Sequence, residues 1–146
     1  MIKNERQYRI TKAQAEKFER ALAQTREHPS DLGSVDPILQ EAMANALRSQ
    51  LADLRQELEE YEALRSGQQQ VFALASFAEL PRALIQSRIA LGLSQKELAE
   101  RLGLKEQQIQ RYEATEYAGA SVQRVQEVIQ ALGLQVREEV VLPRAL

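Results

Sequence analysis

The sequence is poor in the residues from which metal sites and many active sites are built. Its 146 residues contain no cysteine, which excludes disulfides and thiolate ligands for a metal ion. The single histidine, His28, stands between Glu27 and Pro29, where we expect a solvated residue at a helix end. The chain also has no glycine-rich phosphate loop and no recognisable nucleophile constellation. We therefore expect a protein that is not an enzyme and that holds no metal ion or other cofactor.

Long apolar runs are absent as well. No stretch approaches the ~18 consecutive apolar residues that a membrane-spanning helix needs. The first ten residues, MIKNERQYRI, have no apolar segment of the kind found in signal peptides. Apolar residues make up 44% of the chain and charged residues 27%, which indicates a globular protein. We therefore expect a cytoplasmic protein without membrane contact.

An overall excess of positive charge is also missing. The net charge is −2, with 10 Lys/Arg and 13 Asp/Glu in residues 1–80 and 9 and 8 in residues 81–146. If such a chain binds nucleic acid, its positive charge must be concentrated on one face.

Residues 1–66 have the pattern of two helices. Thr11 is predicted to cap the first, with Gln14 three residues later as in a capping box. A loop rich in Pro, Gly, Ser and Asp follows, and Asp36-Pro37 opens a longer helix that ends at Ser66-Gly67.

The long helix carries a heptad-like apolar seam. Its members are spaced by three or four residues, from Leu39 and Met43 through Leu47, Leu51, Leu54, Leu58 and Tyr61. Two interpretations stay open, and both can hold together. The seam either packs on the first helix as a hairpin or forms an intermolecular coiled coil, so Leu47 to Tyr61 are the candidate dimer or partner contacts.

Residues 67–79 are predicted to be a linker and residues 135–146 a tail. Two short apolar segments lie there, QVFALA at 70–75 and LQVREEVVLP, in which Val136, Val140 and Val141 are β-branched. The tail is a possible strand, and the two segments are candidates to pair within one chain or between chains.

Residues 80–134 change to a pattern of short helices. PRALIQSRIAL is the first, and Ser94 caps the second with Glu97 completing a capping box. Gly103 makes a tight turn into a third helix over about 106–113. A fourth helix runs from the cap Ser121 to Gly133, with an inward row of Val122, Val125, Val128, Ile129 and Leu132. Two helices of about eight residues joined by a glycine turn describe a helix-turn-helix, whose second helix is free to enter a DNA major groove.

The sequence RIALGLSQKELAERLGLKEQQIQRYE, residues 88–113, resembles the XRE family of Cro/CI-type repressors. The capping box, the ELA triplet, the LG turn and the closing YE have the family's spacing. The resemblance covers about residues 80–134 and implies a mainly all-α chain with a lambda-repressor-like domain that binds double-stranded DNA as a dimer. The helical region in front of that domain is similar to the layout of some HigA-type antitoxins.

The resemblance also assigns roles to individual residues. Base edges would be read by Glu106, Gln107, Gln110 and Arg111. Gln and Arg can pair bidentately with adenine and guanine, and Glu can accept from cytosine. Arg88 and Glu113 match a structural ion pair. Gln95 matches a residue that touches a phosphate and braces the third helix. The DNA-backbone contacts would be Gln95, Lys96, Lys105, Gln108, Thr115 and Tyr117.

Three departures from the family pattern weaken the predicted DNA contacts. Lys105 stands where Ser or Thr usually caps the third helix, and Glu106 is an unusual residue to face DNA. The loop ATEYAGA replaces a stretch often rich in Gly and Lys or Arg. Its Thr115, Tyr117 and backbone N–H groups are the candidate substitutes. We therefore expect modest affinity per monomer and a stronger need for dimerisation.

The sequence favours a transcriptional regulator that binds an inverted-repeat operator as a homodimer. The leading specific role is an autorepressing type II antitoxin whose N-terminal helices cover a toxin protein. One alternative is a stand-alone repressor. Another is a coiled-coil interaction module that has lost DNA binding.

Overall fold

A computed structural model describes residues 1–27 and 36–144 of the chain. The predicted setting of His28 and most of the predicted loop before Asp36 lie outside these residues. The described part is helical, with a single 3₁₀ turn at Phe77–Glu79 and the α-helices α1 Glu5–Glu27, α2 Pro37–Arg65, α3 Leu80–Ala90, α4 Gln95–Leu102, α5 Glu106–Ala114 and α6 Val122–Leu132. None of these described helices is both long and apolar enough to cross a membrane.

The chain divides into two compact units. The first consists of Met1–Val71 with Ile89–Gly92, and the second of Phe72–Arg88 with the chain from Leu93 onward. The step from Val71 to Phe72 lies inside the segment 67–79 that the sequence analysis treats as a linker.

The first helix begins earlier than predicted. α1 starts at Glu5 rather than after Thr11, and the side chain of Asn4 accepts the backbone N–H of Gln7 at 2.8 Å. The Gln7 side chain in turn accepts the N–H of Lys3 at 2.8 Å. Residues 5–10 are mostly polar, so apolar periodicity gives no signal there. The predicted cap at Thr11 was therefore wrong.

The long helix α2 has the predicted ends. The Asp36 carboxylate accepts the N–H of Ile38 at 2.9 Å, and Pro37 occupies the first turn, where no helical hydrogen bond is lost. Ser66 follows the last residue, and Gly67 has a φ of 68°, a conformation that glycine adopts without strain.

α1 and α2 pack as an antiparallel hairpin. The Tyr8 hydroxyl donates to Glu62 at 2.6 Å, and Arg65 bonds Glu5 at 2.8 Å, so early residues of α1 meet late residues of α2. Along the seam, Leu51 and Tyr61 are buried and Leu47, Leu54 and Leu58 are half-buried. The hairpin interpretation of the seam is confirmed, whereas the intermolecular coiled coil stays a prediction.

The seam is uncovered at the start of α2. Ile38, Leu39 and Met43 are 79%, 53% and 56% exposed. The antiparallel register places this end of α2 beyond the last residue of α1, because α2 is six residues longer than the 23-residue α1.

The second unit is built from the predicted short helices. Ser94 and Glu97 form the reciprocal capping box of α4, and Gly103 ends it with a φ of 67°. Ser121 caps α6 through the N–H of Arg124, and Gly133 ends it. The core contains apolar side chains from every helix of the unit, namely Leu84, Ile85, Leu98, Ile109 and Val128, each no more than 1% exposed.

Two details of the second unit differ from the predictions. Val122 is 76% exposed rather than inward, because the first residue of α6 lies outside the core that Val128 and Leu132 fill. Residues 135–144 contain no strand, nor does the segment 70–75. Val140 and Val141 are 93% and 83% exposed. The predicted C-terminal strand was wrong because β-branched residues make a strand only where another strand completes the hydrogen-bond ladder.

Candidate nucleic-acid interface

The helix predicted to read DNA, α5, is anchored in the core by Ile109 on its inner face and by Glu113 near its end. Ile109 is completely buried in the core, while every predicted base-reading residue is exposed on the outer side. These residues are Glu106, Gln107, Gln110 and Arg111. The tight turn at Gly103 allows α4 and α5 to pack together, so the outward face is held on a rigid scaffold.

The start of α5 is closed without a side-chain cap from Lys105. Lysine has no acceptor, and its side chain forms no capping hydrogen bond. Instead, Gln108 reaches back and accepts the N–H of Lys105 with its Oε1 at 2.9 Å. Lys105 is exposed, so its ammonium faces solvent beside the start of α5. Gln108 is exposed too, but its carbonyl oxygen is used within the helix.

A buried charged cluster holds the end of α5. The Arg88 guanidinium bonds both carboxylate oxygens of Glu113, at 2.6 and 2.8 Å, and also the carbonyl of Leu93 at 2.7 Å. The two side chains are 3% and 0% exposed. Gln95 Nε2 donates to the same carboxylate at 2.8 Å. This Arg88–Glu113–Gln95 cluster ties α3 and the start of α4 to the last turn of α5.

Gln95 is placed to brace α5 rather than to touch a phosphate. Gln95 is 4% exposed, and its side-chain nitrogen donates a hydrogen bond to Glu113. A phosphate outside the protein cannot reach an amide so buried without displacing the cluster. The predicted phosphate contact through this side chain is therefore replaced by the bracing role.

Tyr117 is also turned inward. It is 4% exposed, and its ring stacks on that of Tyr112 with 5.6 Å between centroids and 5° between planes. Burial and the nearby Glu113 carboxylate raise the pKa of the Tyr117 phenol, so it stays neutral at physiological pH. The predicted DNA-backbone contact at Tyr117 does not fit this position.

The loop after α5 uses its own N–H groups internally. Those of Glu116, Tyr117, Ala118 and Ala120 donate to carbonyls of residues three to five positions earlier, at 2.7 to 3.1 Å. Glu116 and Tyr117 have φ values of 49° and 58°, which non-glycine residues seldom adopt. These backbone groups are thus not free to hold a phosphate. Of the predicted substitutes, Thr115 is exposed, and its hydroxyl donates weakly to the carbonyls of Arg111 and Tyr112, both at 3.3 Å.

The exposed charges around α5 nearly cancel. Lys96, Lys105 and Arg111 face solvent, but so do Glu106 and Glu116. The amide of Gln110 donates to Glu106 at 3.3 Å. The surface therefore offers many hydrogen-bonding groups and little net positive charge, a combination suited to base edges more than to phosphates.

Sequence reasoning missed two elements of this surface, the return bond from Gln108 and the Tyr112–Tyr117 stack. A signal existed for the first, because Gln108 stands three residues after the cap position, as in a capping box. No local signal existed for the stack, since the positive φ values at Glu116 and Tyr117 come with tertiary packing.

Comparison with known proteins supports the assignment of the second unit. Residues 84–138 match the family model for helix-turn-helix domains. Neither the curated proteins nor the solved structures contain a match to the chain. The matched family is one of DNA-binding regulators. Residues 84–138 therefore carry a helix-turn-helix domain, a kind of domain found in DNA-binding transcriptional regulators.

Proposed function

We propose that this protein is a sequence-specific transcriptional regulator that inserts α5 into the major groove of an inverted-repeat operator. The observation that carries the proposal is the pairing of an outward polar face on α5 with the buried Arg88–Glu113–Gln95 cluster beneath it. A rigidly held helix can present side chains to base edges in one register.

The roles of the exposed residues follow from their hydrogen-bonding groups. Gln107 and Gln110 match adenine, and Arg111 matches guanine through a bidentate contact. Glu106 can accept from the amino group of cytosine. Around them, the exposed side chains of Lys96, Lys105, Gln108 and Thr115 supply contacts to phosphates, which position the helix but carry no sequence information.

A homodimer supplies the DNA affinity that a single, weakly positive domain lacks. The weakly positive surface around α5 favours two half-sites, with centres about one helical turn apart. The uncovered end of the α2 seam at Ile38, Leu39 and Met43 supports α2 as the dimer contact. This exposed apolar end would be removed from water by a second copy.

The finer role we propose is an autorepressing type II antitoxin that covers a toxin with its N-terminal hairpin. The separate helical unit before the DNA-binding domain supports it. A stand-alone repressor is the alternative, and a neighbouring reading frame for a small basic toxin distinguishes the two. The exposed Glu106 and Glu116 favour a third candidate, a protein-interaction module without DNA binding.

Binding to DNA from the protein's own upstream promoter, across a salt series with scrambled DNA as competitor, tests the proposal. We expect preference for the promoter and a log–log salt slope of several units. Arg111→Ala should cost about 1–3 kcal/mol on the preferred site and relax its sequence preference.

The matched control is Arg48→Ala, which removes an exposed arginine from α2. If Arg111→Ala and Arg48→Ala lower affinity equally on promoter and scrambled DNA, Arg111 does not read bases. Absence of both preference and salt dependence in the unaltered protein would favour the interaction module.

A further inference from the structure

The outward face of α1 carries a row of positive side chains. With 3.6 residues per turn, its members lie within about 60° on either side of Arg6, opposite the buried Ala15. All of them are exposed. We call this row the basic stripe, defined as Arg6, Arg9, Lys17 and Arg20.

Among the residues that the structure describes, no carboxylate forms an ion pair with the basic stripe. Glu5, Glu16 and Glu19 lie roughly 80° or more around the helix from Arg6, although Glu16 is only about 20° from Arg9 and one turn before Arg20. Glu5 and Glu19 instead bond Arg65 and Arg55 of α2, at 2.8 and 2.7 Å. Within residues 1–27 and 36–144, the ion pairs of the structure include none of the four stripe residues.

The basic stripe consists of two pairs of cations. Arg6 with Arg9 and Lys17 with Arg20 have centres about 16 Å apart along the helix, at 1.5 Å per residue. Between them the same face carries Ile10 and the small Ala13. A B-DNA major groove is about 12 Å wide, so a helix lying across it can bring one pair to the phosphates on each edge.

The second unit has few groups that can neutralise phosphates, so a separate basic surface would add to DNA affinity. Around α5, the exposed cations Lys96, Lys105 and Arg111 are offset by Glu106 and Glu116. The loop after α5 consumes its N–H groups internally, and Tyr117 is buried. Specific DNA binding draws much of its free energy from phosphate neutralisation, and this domain has few groups for it.

We propose that the basic stripe of α1 is a second DNA-contacting surface, which binds backbone phosphates of duplex DNA. The inference rests on the proposed function for the source of the DNA. It makes the N-terminal unit a direct contributor to affinity without a share in sequence preference.

A second copy of the chain is a less favourable occupant. α2 is acidic, with six Asp or Glu and three Arg, and its carboxylates could meet the stripe of another molecule. Exposed ion pairs, however, contribute only about 0–1 kcal/mol each. Each phosphate contact to DNA also releases counterions, which makes duplex DNA the stronger ligand for four unpaired cations.

The test compares full-length variants in which the stripe is neutralised. The first is the quadruple variant Arg6→Gln, Arg9→Gln, Lys17→Gln, Arg20→Gln, and the second the double variant Arg6→Gln, Arg9→Gln. Glutamine is a good helix former, so circular dichroism and Tm should stay close to those of the unaltered protein. The control, Arg48→Gln with Arg137→Gln, lowers the net charge as much as the double variant but on exposed residues outside the stripe.

Salt-dependent binding is measured on both promoter and scrambled DNA. At about 0.9 units per phosphate contact, the quadruple variant should make the log–log slope shallower by three to four units for each bound chain, and the double variant by about half of that. For each bound chain, the loss of affinity should be on the order of a hundredfold greater at 50 mM than at 200 mM salt. The ratio of promoter to scrambled affinity should stay within about threefold of the unaltered value, since phosphate contacts carry no sequence information.

An unchanged slope in the quadruple variant overturns the proposal, and so does an equal change in the control and double variants. Sedimentation is run in parallel. If dimerisation is lost along with the slope change, the stripe contacts a second copy and the proposal is wrong. Scrambled DNA reports on the stripe even if the unaltered protein shows no promoter preference, so failure of the proposed function is recognised separately.

Discussion

Ion pairs that join different helices lie in opposite settings in the two units of this protein. In the N-terminal hairpin, Arg55 and Glu19 are 55% and 46% exposed, and Arg65 and Glu5 are 50% and 52% exposed. In the helix-turn-helix unit, the Arg88–Glu113 pair is 3% and 0% exposed. An exposed pair adds little to stability because water solvates the separated charges well. A buried pair has no such alternative, so the loss of one partner leaves a desolvated charge.

The largest effect is expected from Glu113→Ala. This change strands the Arg88 guanidinium in the core and should cost about 3–5 kcal/mol of unfolding free energy, measured by urea denaturation. The matched change in the hairpin, Glu19→Ala, should cost at most about 1 kcal/mol, because Arg55 regains water.

A double variant, Arg88→Met with Glu113→Leu, refines the comparison. Apolar replacement of both partners should recover much of the stability that Glu113→Ala loses. If Glu113→Ala proves no more costly than Glu19→Ala, the buried pair has no special role in holding α5.

The second prediction concerns stability at high pH and compares the buried Tyr117 with Tyr8 at the surface of the hairpin. Hydrogen bonding to Glu62 raises the pKa of Tyr8 in the hairpin, but Tyr117 is the phenol whose pKa is raised mainly by burial. Its unfolded value is near 10.0, so the stability it contributes is complete below pH 10 and is lost as the pH rises further. The slope approaches about 1.4 kcal/mol per pH unit for one proton.

The Tyr117→Phe variant keeps the ring and removes the ionisable group. Urea midpoints between pH 9 and pH 11, taken as rough limits that span the unfolded pKa, should fall more steeply in the unaltered protein than in this variant. Parallel falls would show that the phenol of Tyr117 ionises in the folded state without cost. Tyr8→Phe is the comparison variant: the pKa of Tyr8 is raised by a hydrogen bond to Glu62 rather than mainly by burial, so this change should flatten the slope less than Tyr117→Phe does.

The smallest loss of stability is expected from removing a helix cap in either unit. Asp36→Ala and Ser94→Ala each remove an acceptor of a backbone N–H, at 2.9 and 3.1 Å, and should each cost about 1 kcal/mol. Thermal denaturation measures both. Promoter affinity should fall further in Ser94→Ala, because α4 supports α5, and an equal fall in both variants would contradict that link.

Local signals account for most of what could be predicted. Asp36-Pro37, the Ser94–Glu97 box and Gly103 act within one turn of backbone, and all three appear in the structure where the sequence places them. The α1 start was missed because Asn4 caps a polar first turn that lacks apolar periodicity. The C-terminal strand was predicted from composition alone, which cannot supply a partner strand.

The sequence by itself determined most of the helices, the caps at Asp36, Ser94 and Ser121, and the helix-turn-helix, because spacing and capping are properties of neighbouring residues. Only the tertiary structure decided which polar side chains face inward. From the sequence alone, Gln95 and Tyr117 are polar residues like Thr115 and would be expected at the surface. In the folded protein, the Gln95 side chain donates to the Glu113 carboxylate and the Tyr117 ring stacks on Tyr112. The hydrogen bond between Gln95 and Glu113 and the burial of Tyr117 make that choice, because both form only as the helices pack and exclude water.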